Sequence, residues 1–290
     1  MGNEREQSEA VTTADLAEQW HEALQELYTE FRKRSRAALK DYDEEDVHQA
    51  RVSARKLLTL LQVLDPDGET GLYPLIKKAQ KRFGRVRDAD VLIGEFKKLR
   101  KEAESEDRDD EAKLFKRMAK LEKDERKDQR KKLSRKLPKI VNSKLDKKWK
   151  TFLKEDLPEL AAQADVRRSV RELKDDYRKR RHFYQVTADR EGLYSEQALE
   201  SLHQVRIAAK RSRYTSEAAA FALDAKHAED AERFKQVQKQ LGEVNDRHFH
   251  IQIAEDYGPE ALNVDQEHWT LFLKRLDDQL KASLESVGEL

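Results

Sequence analysis

The 290-residue chain contains no cysteine, which excludes disulfides, thiolate metal centres and a cysteine nucleophile and fits a reducing compartment. Its 5 prolines and 9 glycines are too few for the turn-dense pattern of a β-protein. Aromatic residues amount to 7%, which leaves little to stack on nucleobases. Long apolar runs are missing as well. The longest, "LLTLLQVL" at residues 57–64, is far too short to cross a bilayer, and the opening "MGNEREQSEAVTTADL" has no apolar signal core. A soluble cytoplasmic protein with no membrane partner is expected. Net charge is nearly absent too: 59 Lys plus Arg against 58 Asp plus Glu leave +1, no overall reason to attract an anion.

What is present is charge in segregated blocks. Charged residues are 40% of the chain and apolar ones 37%, enough at this length to bury a core beneath long charged helices. Lys113 to Lys136 holds twelve basic and four acidic residues, whereas Glu102 to Glu111 holds seven acids and only Arg108 as a base. Local fields are therefore strong although the total cancels.

The periodicity is helical almost throughout. Trp20, Leu24, Leu27 and Phe31 recur at steps of three and four, and "LKDYDEED" reads as a turn into a helix start. Val47, Ala50, Ala54, Leu57, Leu58 and Leu61 mark a second helix that "DPDGETG" ends. A third runs from about Tyr73 towards Leu99, with Gly84 a candidate close-packing point. The basic stretch through Leu133 reads as a solvated helix or helical pair with few core positions.

The pattern then restarts. "EFRKRSRAAL" (30–39) returns as "DYRKRRHFYQ" (176–185), "HQARVSARK" (48–56) as "HQVRIAAKR" (203–211), and "KRFGRVRDADV" (81–91) as "KQLGEVNDRHF" (239–249). Three similarities in one order, at comparable separations, indicate a tandem duplication of a helical unit. The expected architecture is all-α: one domain over 1–290, formed by two pseudo-symmetric helical-bundle repeats, about 16–140 and 150–285, with a basic channel between them.

At about 100° per residue, His48, Arg51, Arg55 and Thr59 share a stripe opposite Leu57, Leu61 and Leu64. His203, Arg206, Lys210, Arg213 and Tyr214 form the counterpart. Neither "HQARVSARK" nor "HQVRIAAKRSRY" contains an acid, so neither row is neutralised by the interleaved i,i+4 carboxylates typical of ion-paired helices. An external polyanion is the economical partner, because arginine forks pair with phosphate oxygens. Arg32, Lys33 and Arg36, their counterparts Arg178, Lys179 and Arg181, and a row of Lys77, Lys78, Lys81, Arg85 and Arg87 extend the cationic face. In the second unit Lys235 and Lys239 remain, but Glu243 and Asn245 stand in place of Arg85 and Arg87. Asp88 and Asp246 suit caps or partners that orient the arginines. No metal site is expected, since neither histidine belongs to an HxxxH or HExxH pair.

"VHQARVSARK" followed by "FGRVRDADV", and again "LHQVRIAAKRSRY" followed by "LGEVNDRHF", resembles the CHAD family, the conserved histidine α-helical domain, from about Leu16 to Leu280. The resemblance implies two helical bundles that bind inorganic polyphosphate in a basic central channel, in several relatives at polyphosphate granules. It places His48, Arg51, Arg55, Lys56, His203, Arg206, Lys210, Arg213 and Tyr214 on the channel motif. Many members carry a triphosphate-tunnel hydrolase domain with an ExExK signature; no such β-rich segment is present, so a non-catalytic binding domain without cofactor or metal is expected. Nucleic-acid backbone binding through the same stripes is the alternative, and a phosphate-chain-processing enzyme a third. The latter normally needs clustered carboxylates for Mg²⁺ or an activated nucleophile, and Asp88 and Asp90 fall on opposed sides of a helix.

Overall fold

The computed structural model describes residues 13–287; residues 1–12, most of the polar opening segment, and 288–290 lie outside the described residues. Among the described residues the structure is helical and no strand occurs. Four helices come first: α1 (Thr13–Lys40), α2 (Glu44–Leu64), α3 (Tyr73–Ser105) and α4 (Asp109–Lys136). A connector follows, α5 (Ser143–Thr151) running through a π-helical turn into α6 (Leu157–Gln163). Four more complete the chain: α7 (Val166–Glu191), α8 (Glu196–Ala218), α9 (Ala225–Ala261) and α10 (Gln266–Val287). No helix among the described residues is long and apolar enough to cross a membrane.

Local chemistry sets the ends that position the site. The Asp43 carboxylate accepts hydrogen bonds from the Glu45 and Asp46 amides, 2.9 and 3.1 Å, and starts α2. Asp65 stops it by accepting from the amides of Glu69 and Thr70, in a turn whose Gly68 and Gly71 take the left-handed φ of +75° and +60°. Ser195 caps α8 through the Ala198 amide.

Packing forms three apolar clusters. The first joins Trp20, Leu24 and Phe31 of α1 to Leu57 and Leu61 of α2, Phe83 of α3, and Trp149 and Phe152 of the connector. Tyr28 stacks on Trp149 at 4.3 Å and donates to Asp146. The second half has its own cluster around Tyr177, Leu202, Val205 and Leu241. A third lies where the far ends of α3 and α4 meet α9 and α10, around Phe96, Phe115, Trp269 and Phe272. The halves therefore meet there, where α2 crosses α8, and where Phe221 sets its ring edge on Trp20 at 4.9 Å.

Two expectations change. The basic stretch is the single helix α4 and does supply core, burying Leu114, Phe115, Met118 and Leu133; at helical spacing a few apolar residues suffice for one seam. Gly84 is not a close-packing point, and neither is its sequence counterpart Gly242. A Cβ on Gly84 would meet the Arg51 Nε at 3.6 Å and the Asp88 Oδ2 at 4.0 Å, both ordinary contacts with side chains, and one on Gly242 nothing within 4 Å.

The Asp90 side chain is 0% exposed and pairs with Arg126 at 2.9 Å and Arg130 at 3.7 Å, both from α4. Burial raises its carboxyl pKa, with the Arg126 hydrogen bond opposing. A raised carboxyl pKa means that folding disfavours the ionised form, so the carboxylate adds nothing to stability at neutral pH. The asymmetry of buried pairs then applies. Arg126→Ala, which strands the carboxylate, should lower the unfolding free energy by about 2–4 kcal/mol, and Asp90→Leu, which leaves arginines that can reach water, by less than about 1 kcal/mol. Urea unfolding of both variants measures the difference; equal losses would contradict it.

Candidate functional site

The crossing of α2 and α8 brings the two histidine-led stripes together. Arg55 reaches across from α2 and lays its guanidinium 4.0 Å from the centre of the Tyr214 ring on α8. Arg213 lies 5.5 Å from the same ring. Lys210 sits among Arg206 of its own helix and Arg51 and Arg55 of the opposite one; burial first, then these cations, push its pKa down to about 8, with Asp246 alone of the leading influences opposing. Arg55 is likewise lowered, by burial and then by Arg51 and Arg213 against Tyr214 and Glu217. Cations of α2 and α8 thus share one neighbourhood.

Two carboxylates stand among these cations. Asp246 Oδ1 is 3.7 Å from Arg206 Nη2. Asp88 lies by Arg51 and Arg87 and is exposed to solvent, yet enough protein surrounds it that desolvation, its largest influence, raises its pKa. Asp246 is raised too, chiefly by burial and despite Arg206. Both stand well inside α3 and α9, so neither is a helix cap.

The histidines differ. Burial and then the charge of Arg87 hold His48 below the ordinary histidine pKa, against Glu45, and its buried Nδ1 has no hydrogen-bond partner among the described residues. His203 Nδ1 is 2.7 Å from Asn245 Oδ1; with that oxygen accepting, Nδ1 carries the proton. Arg87 and Asn245 occupy matching places after the two glycines in sequence. A charged neighbour in one half is replaced by a neutral acceptor in the other.

A cavity of about 880 Å³ opens beside Arg55 and Tyr214, where α2, α3, α6, α7 and α8 meet. Lys77 and Arg211 border it, but so do Asp65, Asp67 and Glu69, so its charge is mixed and the cation-rich surface is the α2–α8 crossing beside it.

The other expected contacts scatter. Arg32 is withdrawn from the candidate set: its Nε and Nη2 hold Asp146 of α5 at 2.8 and 2.9 Å and its side chain is only 14% exposed. With its Nε–Nη2 edge held by a carboxylate, the guanidinium keeps only its Nη1 side for a phosphate. Arg213 is partly committed, to Glu217 at 2.6 Å and Gln238 at 3.1 Å; the i,i+4 spacing of Arg213 and Glu217 carries that signal in sequence. Arg178 pairs with Asp175 at 2.9 Å and Lys33 lies 3.8 Å from Glu30, both exposed pairs of small worth. Arg36, Lys56, Lys179 and Lys239 stand exposed on α1, α2, α7 and α9, while Arg181 is half-buried with its Nε unpartnered. Along α3, Lys78, Lys81 and Arg85 are exposed and Lys77 stands 5.6 Å over Tyr73. Among the described residues no group of three or more His, Asp or Glu is arranged to hold a metal ion.

Comparison with known proteins agrees with the helical architecture. A family model described as CHAD domain matches residues 22–255. The structure is similar to the crystal structure of the CHAD domain from the plant Ricinus communis, with a TM-score of 0.62 at 20% identity, covering 93% of this chain and 91% of that one. Identity at that level establishes the fold and not the role of any residue. Comparison with curated proteins gave no match.

Lys210 connects the site to stability. Its folded pKa of about 8 lies below the ordinary lysine value, so charging it in the folded state costs free energy; the penalty is complete below pH 8 and disappears as pH rises towards the unfolded pKa. Lys210→Met should therefore stabilise the ligand-free protein at pH 7, by on the order of 1–3 kcal/mol, with a gain that narrows towards pH 10. Thermal or urea unfolding across that range reads it, and a destabilised variant at pH 7 would refute the electrostatic account.

Proposed function

This chain belongs to the CHAD domain family, and from that premise we propose that it binds inorganic polyphosphate in a channel between its two halves, without covalent chemistry. The observation that carries the proposal is the shared neighbourhood of Arg51, Arg55, Arg206 and Lys210, where α2 lays Arg55 on the Tyr214 ring of α8 and burial, then Arg206, Arg51 and Arg55, depress the lysine. Such a cluster repels itself in the free protein and is relieved by a polyanion. Arginine forks supply paired hydrogen bonds to phosphate oxygens, and Lys210 a mobile point charge. Tyr214 holds Arg55 in place by its ring face. Asp88 and Asp246 would orient Arg51 and Arg206 and set an upper limit on the local positive charge.

The site supports binding better than chemistry because each of its carboxylates faces an arginine, an arrangement for positioning cations. A cytoplasmic role at polyphosphate granules, through recruitment of the protein to the polymer, accords with this function.

Two measurements test the proposal. Titration of long-chain polyphosphate, length-matched single-stranded DNA and duplex DNA should show much tighter binding to polyphosphate, with a steep decline in salt from counterion release. Paired Arg51→Gln and Arg206→Gln should weaken polyphosphate binding on the order of a hundredfold, two charge-assisted contacts being lost. Equal affinity for all three polymers, or an unaffected double variant, would sink the channel model. Affinity should also fall as pH rises from 7 to 9, because Lys210 loses its proton near pH 8 in the free protein and the bound anion favours the charged form. Lys210→Arg should flatten that dependence; an unchanged pH profile would remove Lys210 from the contact.

A further inference from the structure

The basic residues of α4 are of two kinds. Some hold the fold: Arg117 donates to the carbonyls of Leu262 and Asn263, and Arg126 and Arg130 pair with buried Asp90. The last turn and a half differs. Lys132, Arg135 and Lys136 have no carboxylate at ion-pair distance among the described residues, and neither do Arg82 and Arg85 of α3, which the antiparallel pairing of α3 with α4, registered by Asp90 on Arg126 and Arg130, carries to the same end. The charged groups acting most on Lys136 are all cations, Arg82 first, then Arg135, Arg85 and Lys132, and they lower its pKa. A helix C-terminus favours cations in its last turn, which accounts for Arg135 and Lys136. It does not account for the two arginines of α3 brought against them.

The patch is continuous with the crossing of α2 and α8. At about 100° per residue Lys77, Lys81, Arg85, Lys78 and Arg82 cover an arc of about 140° on α3. At one edge of that arc stand Gly84 and Asp88, beside Arg51. At the other, Arg82 meets Lys136. The absence of a Cβ at Gly84 keeps the step from Arg51 to α3 low.

We infer that a polyphosphate chain held between α2 and α8 continues over α3 onto a second, outer cationic face built by Arg82, Arg85, Lys132, Arg135 and Lys136, and that this face makes binding selective for long chains. The inference rests on the polyphosphate function proposed above. Its path bends around a helix about 10 Å across, which duplex DNA, with a persistence length of about 50 nm, cannot follow. A flexible chain with a charge on every phosphate and no bases to accommodate can.

The test combines Arg82→Gln, Lys132→Gln and Lys136→Gln, neutral changes that relieve repulsion. Tripolyphosphate, long-chain polyphosphate and single-stranded RNA of matched charge are titrated over a salt series. The triple variant should bind tripolyphosphate within about twofold of the parent protein and long-chain polyphosphate about tenfold or more weakly, with its log–log salt slope shallower by about two. Unchanged long-chain affinity, or an equal loss for both phosphate lengths, overturns the second face while leaving the central site intact. An equal benefit of the face to RNA overturns the polyphosphate assignment. A parent protein that binds neither phosphate length removes the proposed function, and the inference with it.

Discussion

Repulsion among the cations of α2 and α8 is the condition that the rest of the fold has to satisfy. Lys210, Arg55, Arg51 and Arg206 are held near one another, and of the carboxylates close by, Asp88 and Asp246 are disfavoured as anions by burial while Glu217 is taken up by Arg213. A row of like charges cannot cement two helices, so the halves are held elsewhere: by the distal aromatic cluster of α3, α4, α9 and α10 and by the Trp20–Phe221 contact. At the crossing itself the attractive element is Arg55 on the Tyr214 ring, an interaction that tolerates a cation instead of requiring its removal. Sites that sacrifice stability in this way are where structure and function part company.

Much of this was legible in the sequence, and the parts that were not share a cause. The ends of α2, the apolar faces of α1 and α2 and the recurrence of the histidine helix follow from local spacing, because capping, turns and amphipathic periods are set within a few residues. Partners distant in sequence leave no such trace. Arg32 and Lys33 look alike, yet only Arg32 finds Asp146, 114 residues away. In α4, Arg126 and Lys132 belong to one basic run, but the first meets buried Asp90 and the second meets other cations. Gly84 and Gly242 hold matching places in the sequence, yet Gly84 faces the Arg51 side chain and Gly242 open space, neither a neighbouring backbone. The sign of a residue's surroundings is a tertiary property.

Sequence likeness also concealed a difference between the halves. His48 and His203 occupy matching places, but burial and then Arg87 drive His48 towards its neutral form, whereas Asn245 engages His203 through a hydrogen bond. One half presents an imidazole in a repulsive field, the other a tethered one. The greater positive charge of the first half is thus expressed at the histidine itself, and it continues along α3.

The connector carries a consequence for how the chain is divided. Trp149, Phe152, Leu157 and Ala161 are buried in the same cluster as Trp20 and Leu24, and so are Val166 and Val170 from the start of α7 and Ala219 after α8. The stretch that recurs in the sequence is therefore not the stretch that completes a core. A polypeptide severed near residue 145 would lose the lid over the stacked face of Tyr28 on one side and carry its lost aromatics bare on the other. Emerging from the ribosome, the cluster around Trp20 closes only after the connector and the start of α7 have been made, so the two parts of the chain are bound into one folding event.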